Sequence, residues 1–174
     1  MNLLKSTAQL ITGFNEKVAF VASLLIYGII AVVVIEVGGR YIFNSPTNWS
    51  YDMQWMLCGA LMVLGGAYGL KEEVHVKADV FYDMFPPRVQ AVVRIICYLV
   101  FFFPFAIPFA YVSYDLMVNA WVLGETSPYT SWNPSTGPIK TVMFLGALML
   151  LLQGLLDFIG YFKKLKDGGD SVES

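Results

Sequence analysis

VAFVASLLIYGIIAVVVI, residues 18–35, contains no charged side chain. A helix rises about 1.5 Å per residue, so a run of this length covers most of the ~30 Å hydrocarbon core of a bilayer. Three runs of the same kind follow, Met53–Leu70, Ile95–Tyr114 and Thr141–Leu156, and only Asp157 interrupts the last before Phe162. The composition of the whole 174-residue chain agrees: 57% of residues are apolar, 14% are charged, and mean hydropathy is +0.61. Soluble domains carry nearly twice that share of charge. The chain therefore reads as all-α, with four transmembrane helices at about 18–37, 53–70, 91–115 and 140–162 in one domain, residues 1–166.

This composition excludes several functions. The stretches outside the runs have only the length of connecting loops, so a soluble catalytic fold has no room and no enzyme activity is expected. Eleven basic and thirteen acidic residues give a formal charge of −2, which is no electrostatic footprint for nucleic acid. Cys58 and Cys97 lie inside runs without CxxC spacing, and His75 is the sole histidine, so neither a haem nor a metal centre is indicated and no cofactor is expected.

Cationic flanks set orientation. Lys5, Lys17, Lys71, Lys77, Arg88, Arg94, Lys163, Lys164 and Lys166 fall on one side of the four runs, while Arg40 and Lys140 fall on the other. Both termini are then cytoplasmic. Leu3, Leu4, Leu10, Ile11, Phe14 and Val18 recur at helical spacing and predict a short interfacial helix before the first span. Lys163, Lys164 and Lys166 stand where anionic lipid headgroups lie, and residues 167–174 read as a disordered polar tail.

Ionisable residues at span ends are the candidates for specific roles. Glu36 and Arg40 stand at i and i+4 with the acid first, the favourable order for an ion pair. That pair either closes the helix or clasps a neighbouring element. Ser50 is placed to cap the second helix, Asp52 sits in its first turn, and Trp49, Tyr51 and Trp55 fit an interfacial aromatic belt. Gly65 and Gly69 form a GxxxG pair that predicts close helix packing. Pro104 and Pro108 predict a kinked or locally unwound third span. The connection Val74–Val80 alternates polar and apolar residues, with Asp79 placed to cap a following turn. The connection after the third span carries Glu125, Ser127 and Trp132, a mixture suited to docking an extramembrane protein.

RYIFNSPTNWSYD, residues 40–52, resembles the segment after the first helix in the small membrane subunit of the TRAP (tripartite ATP-independent periplasmic) transporters. Gly65-Gly66-Ala67-Tyr68, His75-Val76-Lys77-Ala78-Asp79 with Pro86-Pro87-Arg88, Gly124-Glu125-Thr126-Ser127 with Trp132 and Pro134, Pro138-Ile139-Lys140, and Leu152-Gln153-Gly154 are similar to that family in order and spacing. Lys77 stands where the family more often has arginine, and Ser135 where it often has a second proline. The resemblance implies a bacterial inner-membrane protein, the non-catalytic scaffold of a sodium-coupled organic-acid importer. In such a system a large elevator-type membrane subunit binds substrate and sodium, and a periplasmic binding protein delivers the substrate. On that reading Glu36, Arg40, Trp49, Asp52, His75, Lys77 and Asp79 belong to the partner-facing framework, Glu125, Ser127 and Trp132 to docking of the binding protein, and phospholipids meet the three terminal lysines. The alternative from the residues alone is an independent homodimeric transporter with Glu36 as its coupling carboxylate.

Overall fold

The computed structural model describes residues 2–71 and 86–166. Among these residues there are four helical stretches and no named strand: α1 (Asn2–Tyr41), α2 (Ser50–Lys71), a third stretch made of α3 (Pro87–Cys97), a π-helical turn (Tyr98–Phe102) and α4 (Phe103–Val122), and α5 (Gly137–Lys166). Three helical segments are long and apolar enough to cross a membrane: Phe20–Tyr41, Val92–Val122 and Gly137–Phe162. His75, Lys77, Asp79 and the tail 167–174 lie outside the described residues.

α1 differs from expectation in having no boundary between an interfacial helix and the first span; it is one helix of 40 residues. No proline interrupts it, and its one glycine before residue 28, Gly13, costs only about 1 kcal/mol in a helix. The helix ends where the Ile42 and Phe43 amides bond to the Gly38 carbonyl at 2.9 and 3.3 Å, and the Ser45 amide to that of Gly39 at 2.9 Å. Asn44, at φ 48°, supplies the left-handed residue that reverses the chain.

The third stretch is interrupted as its prolines predict, but by a π turn rather than by unwinding. Pro104 has no N–H for the carbonyl one helical turn before it. The ladder widens there, and the Phe103 amide reaches back five residues to the Tyr98 carbonyl. Pro108 is absorbed inside α4, which runs on to Val122, further than the expected span end near residue 115. Pro87 occupies the first turn of α3, where a missing donor is harmless.

The helices pack in a row: α1 on α2, α2 on α5, and α5 on α3 and α4. Close approach is made by small residues, as in other membrane helices. Ala22, Ala106, Ala120 and Ala147 are buried, and α5 supplies the tightest points. A Cβ on Gly146 would lie 3.1 Å from the Val63 backbone oxygen of α2, and one on Gly154 would overlap the Phe102 ring. Among the described residues the expected contact through Gly65 is not made, since a Cβ there would meet no described atom within 4 Å. The two outer members of the row keep open apolar side chains, with Phe20, Leu24, Tyr27 and Val34 on α1, and Phe101, Phe105 and Val112 on the third stretch, all exposed.

Candidate functional site

The connections 42–49 and 123–136 lie at the same end of the row, where the Asn48 amide reaches the Ser131 hydroxyl at 3.5 Å. Most of the expected site residues gather there, but in two separate clusters.

The first cluster surrounds Glu36, which is buried. Arg40 donates to its Oε1 through Nε at 3.1 Å and Nη2 at 2.5 Å. The Thr47 amide (3.0 Å) and hydroxyl donate to Oε2, and the Ser50 hydroxyl is a further donor. The carboxylate thus ties the last turns of α1 to the following connection and to the first residue of α2, so the pair is a clasp rather than a helix terminator. Ser50, expected as a cap, is the first residue of α2 and serves Glu36 instead. Trp49 contributes its carbonyl to the first turn of α2, accepting from the Met53 amide at 3.1 Å.

The second cluster surrounds Asp52, which has 0% exposure. Trp55 Nε1 donates to Oδ1 at 2.9 Å, the Ser127 hydroxyl donates to the same oxygen, and the Thr130 hydroxyl donates to Oδ2. Burial pushes this carboxyl up, but the bonds from Ser127, Thr130 and Trp55 outweigh it and hold its pKa below the ordinary 3.8. Asp52 therefore fastens α2 to the connection 123–136.

That connection has an internal framework of its own. Thr126 and Ser135 form an antiparallel bridge. The Ser127 amide bonds to the Pro134 carbonyl at 2.8 Å, and the Thr136 amide to that of Glu125 at 2.9 Å. Gly124 (φ 61°) and Asn133 (φ 45°) take left-handed conformations at its two bends; with the Asn133 side-chain amide oriented to match its neighbours, its Nδ2 donates to the Ser127 and Thr130 carbonyls at 2.8 and 3.0 Å. Glu125 pairs with Lys140 of α5. Of the three residues expected to dock a partner, Ser127 is wholly buried, Glu125 is paired and partly exposed, and Trp132 is exposed. Tyr129 joins Trp132 on the outside, its ring edge-on to Tyr51 and Trp55 at 5.9 and 6.1 Å.

A third polar cluster, at the opposite end, is one that sequence reasoning missed. Arg94 donates to the Tyr161 hydroxyl and lies 4.8 Å above that ring. Tyr98 donates to Asp157 Oδ2 at 3.4 Å, and buried Gln153 donates to Oδ1 at 3.1 Å. The available signal was Asp157 itself, since a carboxylate inside an apolar run needs partners. Lys163, Lys164 and Lys166 fall on the last turns of α5, their side chains outside those described.

Among the described residues no group of three or more His, Cys, Asp or Glu side chains is arranged to hold a metal ion. The three clusters instead tie helices to one another or to a connection. A sialic acid TRAP transporter small permease protein, SiaQ, from Vibrio cholerae serotype O1 is 25% identical over 87 residues, 50% of this chain and 49% of that protein. The chain thus matches about half the length of that curated relative. The family model for the DctQ component of tripartite ATP-independent periplasmic transporters matches residues 29–164, from within α1 to near the end of α5, and the chain belongs to this family.

Proposed function

We propose that this chain is the non-catalytic small subunit of a sodium-coupled organic-acid importer, holding a large elevator-type membrane subunit in place while a periplasmic protein delivers the substrate. The observation that carries the reading is the open row of helices. Its polar groups are paired at the two ends, while its apolar faces, including Phe20, Leu24 and Tyr27 on α1 and Phe101 and Phe105 beside the π turn, are left for lipid or a polytopic partner. Substrate and sodium are then handled by the large subunit, with no cofactor on this chain. The small subunit stays fixed and forms a heterodimer with its partner.

Four crossings with both termini in the cytoplasm, in the bacterial inner membrane, complete the proposal. α2, 22 residues long and uncharged from Met53 to Leu70, is the fourth span. Glu36, Arg40, Trp49 and Asp52 stiffen the periplasmic end; His75, Lys77 and Asp79 do the same in the cytoplasmic connection. Trp132 and Tyr129, both exposed, meet the binding protein, on a loop that Glu125 and Ser127 hold in shape. Lys163, Lys164 and Lys166 meet anionic lipid. The alternative of Glu36 as a coupling carboxylate is disfavoured by its surroundings, since Arg40, Thr47 and Ser50 already occupy it.

The test is co-expression of the tagged chain with the reading frames flanking its gene, followed by mild-detergent pull-down and substrate uptake. Recovery of a much larger polytopic protein at fixed stoichiometry is expected, with Arg40→Ala or Asp79→Ala reducing either recovery or uptake. Recovery of the chain only with itself, together with uptake abolished by Glu36→Gln, would replace this reading with the homodimeric transporter.

A further inference from the structure

Between the end of α1 and the start of α2 lies a cleft of about 310 Å3, lined by Val33, Glu36, Val37, Arg40, Tyr41, Ser50, Tyr51 and Gln54. Its charge is lopsided. The Glu36 side chain is 9% exposed and faces inward, whereas its partner Arg40 is 58% exposed. Glu36 engages Nε and Nη2 of the guanidinium through one oxygen, and among the described residues nothing engages Nη1. A guanidinium has five N–H donors in a planar fork, so the remaining donors form an end-on anion site whose orientation Glu36 fixes. The negative member of the pair is hidden and the positive one is presented.

The depth of the cleft identifies the anion. Arg40 stands in the last turn of the apolar segment Phe20–Tyr41, where a spanning helix leaves hydrocarbon for the headgroup layer. Val37 and Val33 continue the cleft about one and two helical turns deeper into the apolar zone, and Tyr41 and Tyr51, both exposed, flank it as interfacial aromatic residues do. A ligand matching this profile has a phosphate at headgroup depth and a hydrocarbon chain directly below it. Free phosphate satisfies only the first half, and a neutral diacylglycerol only the second.

We propose that this cleft is a phospholipid site, the lipid phosphodiester bound by the outward N–H groups of Arg40 and the upper part of an acyl chain lying along Val37 and Val33. The site requires only that α1 crosses a bilayer, and so stands apart from the choice of transport partner. A lipid seated there bridges α1 and α2 beside the same end of α1 that the Glu36 clasp secures.

Native mass spectrometry of the full chain, delipidated in mild detergent and titrated with phosphatidylglycerol, tests this. Wild type retains one lipid that tenfold excess inorganic phosphate does not displace, and diacylglycerol at the same concentration is not retained. Arg40→Gln removes the anion site, and Val37→Trp fills the apolar part while leaving Glu36, Arg40 and Thr47 untouched; each lowers retention about tenfold. Thermal unfolding like that of wild type verifies the fold of Val37→Trp. Retention unchanged in both variants overturns the proposal, as does equal retention of diacylglycerol. Loss on neutralising Lys163, Lys164 and Lys166 with no loss in the two cleft variants moves the lipid to the other end and overturns it too. The same lipid, retained by the isolated chain but absent from the assembled complex, would show that a protein subunit occupies the cleft instead.

Discussion

Gly154 offers the sharpest test of how the row is held together. Alanine is a better helix former than glycine by about 1 kcal/mol, so Gly154→Ala in the middle of α5 would be stabilising if nothing faced it. The structure places the Phe102 ring there, with Cε1 and Cζ inside contact distance of the new methyl and Cδ1 at 3.1 Å. Phe102 ends the π turn, and its ring lies against Tyr98 and Phe103 at 5.1 and 5.5 Å, so it has little freedom to retreat. Overpacking costs about 1–3 kcal/mol. Taking 3 for this hemmed-in ring and subtracting the helix gain leaves a net loss of about 2 kcal/mol. In a chain of this size each kcal/mol moves the melting temperature by about 2–4 °C. Gly154→Ala therefore lowers it by roughly 4–8 °C in detergent-purified protein followed by intrinsic fluorescence. In a Phe102→Ala background the obstruction is gone and only the helix gain remains, so the same substitution raises the melting temperature by about 2–4 °C. This reversal of sign is the decisive result. An equal drop in both backgrounds would refute the contact between α5 and the π turn. Gly146→Ala is the contrast, because Val63→Ala leaves the Val63 backbone oxygen and carbon at 3.1 and 3.2 Å and does not relieve it.

Asp52 predicts a pH dependence. Its folded pKa lies below the ordinary 3.8, so it contributes stability above that value and loses it as pH falls through the folded pKa. Hydrogen exchange at residues 125–136 should stay slow down to about pH 4 and accelerate below it, whereas Asp52→Asn should show fast exchange already at neutral pH; identical profiles would remove Asp52 as the fastening point. The two left-handed asparagines should differ. Asn44→Gly is near neutral and Asn44→Ala costs about 1 kcal/mol through backbone strain alone, but Asn133→Gly also destabilises, because it deletes the amide bonds to Ser127 and Thr130; thermal unfolding of the three variants checks this. Gly137→Ala should lower the melting temperature, since the new methyl would lie 3.0–3.3 Å from three atoms of the Trp121 ring, whose Nε1 is hydrogen-bonded to Thr141 at 2.9 Å.

Local spacing accounts for what the amino-acid sequence determined. Uncharged runs of helical length specify helices suited to lipid, because no other regular structure in a single segment satisfies its backbone there. The i, i+4 spacing of Glu36 and Arg40 foretold their pairing, and Pro104 foretold a disturbed ladder nearby. Each of these depends on residues within about two helical turns of one another. What the tertiary structure alone decided joins distant parts of the chain. Ser127 meets Asp52 from 75 residues away, and Tyr161 meets Arg94 from 67. Among the glycines, Gly146 and Gly154 on α5 take the close contacts while Gly65 faces no described atom, although Gly65 belongs to the only pattern that advertised packing. Small residues permit close approach anywhere on a helix; the helix order and rotation that bring one of them against Val63 or Phe102 are properties of the whole row. Hydrogen-bond capacity behaves likewise. Asp52 needed donors wherever it was buried, and only the fold of residues 123–136 determined that a serine and a threonine from that connection would supply them.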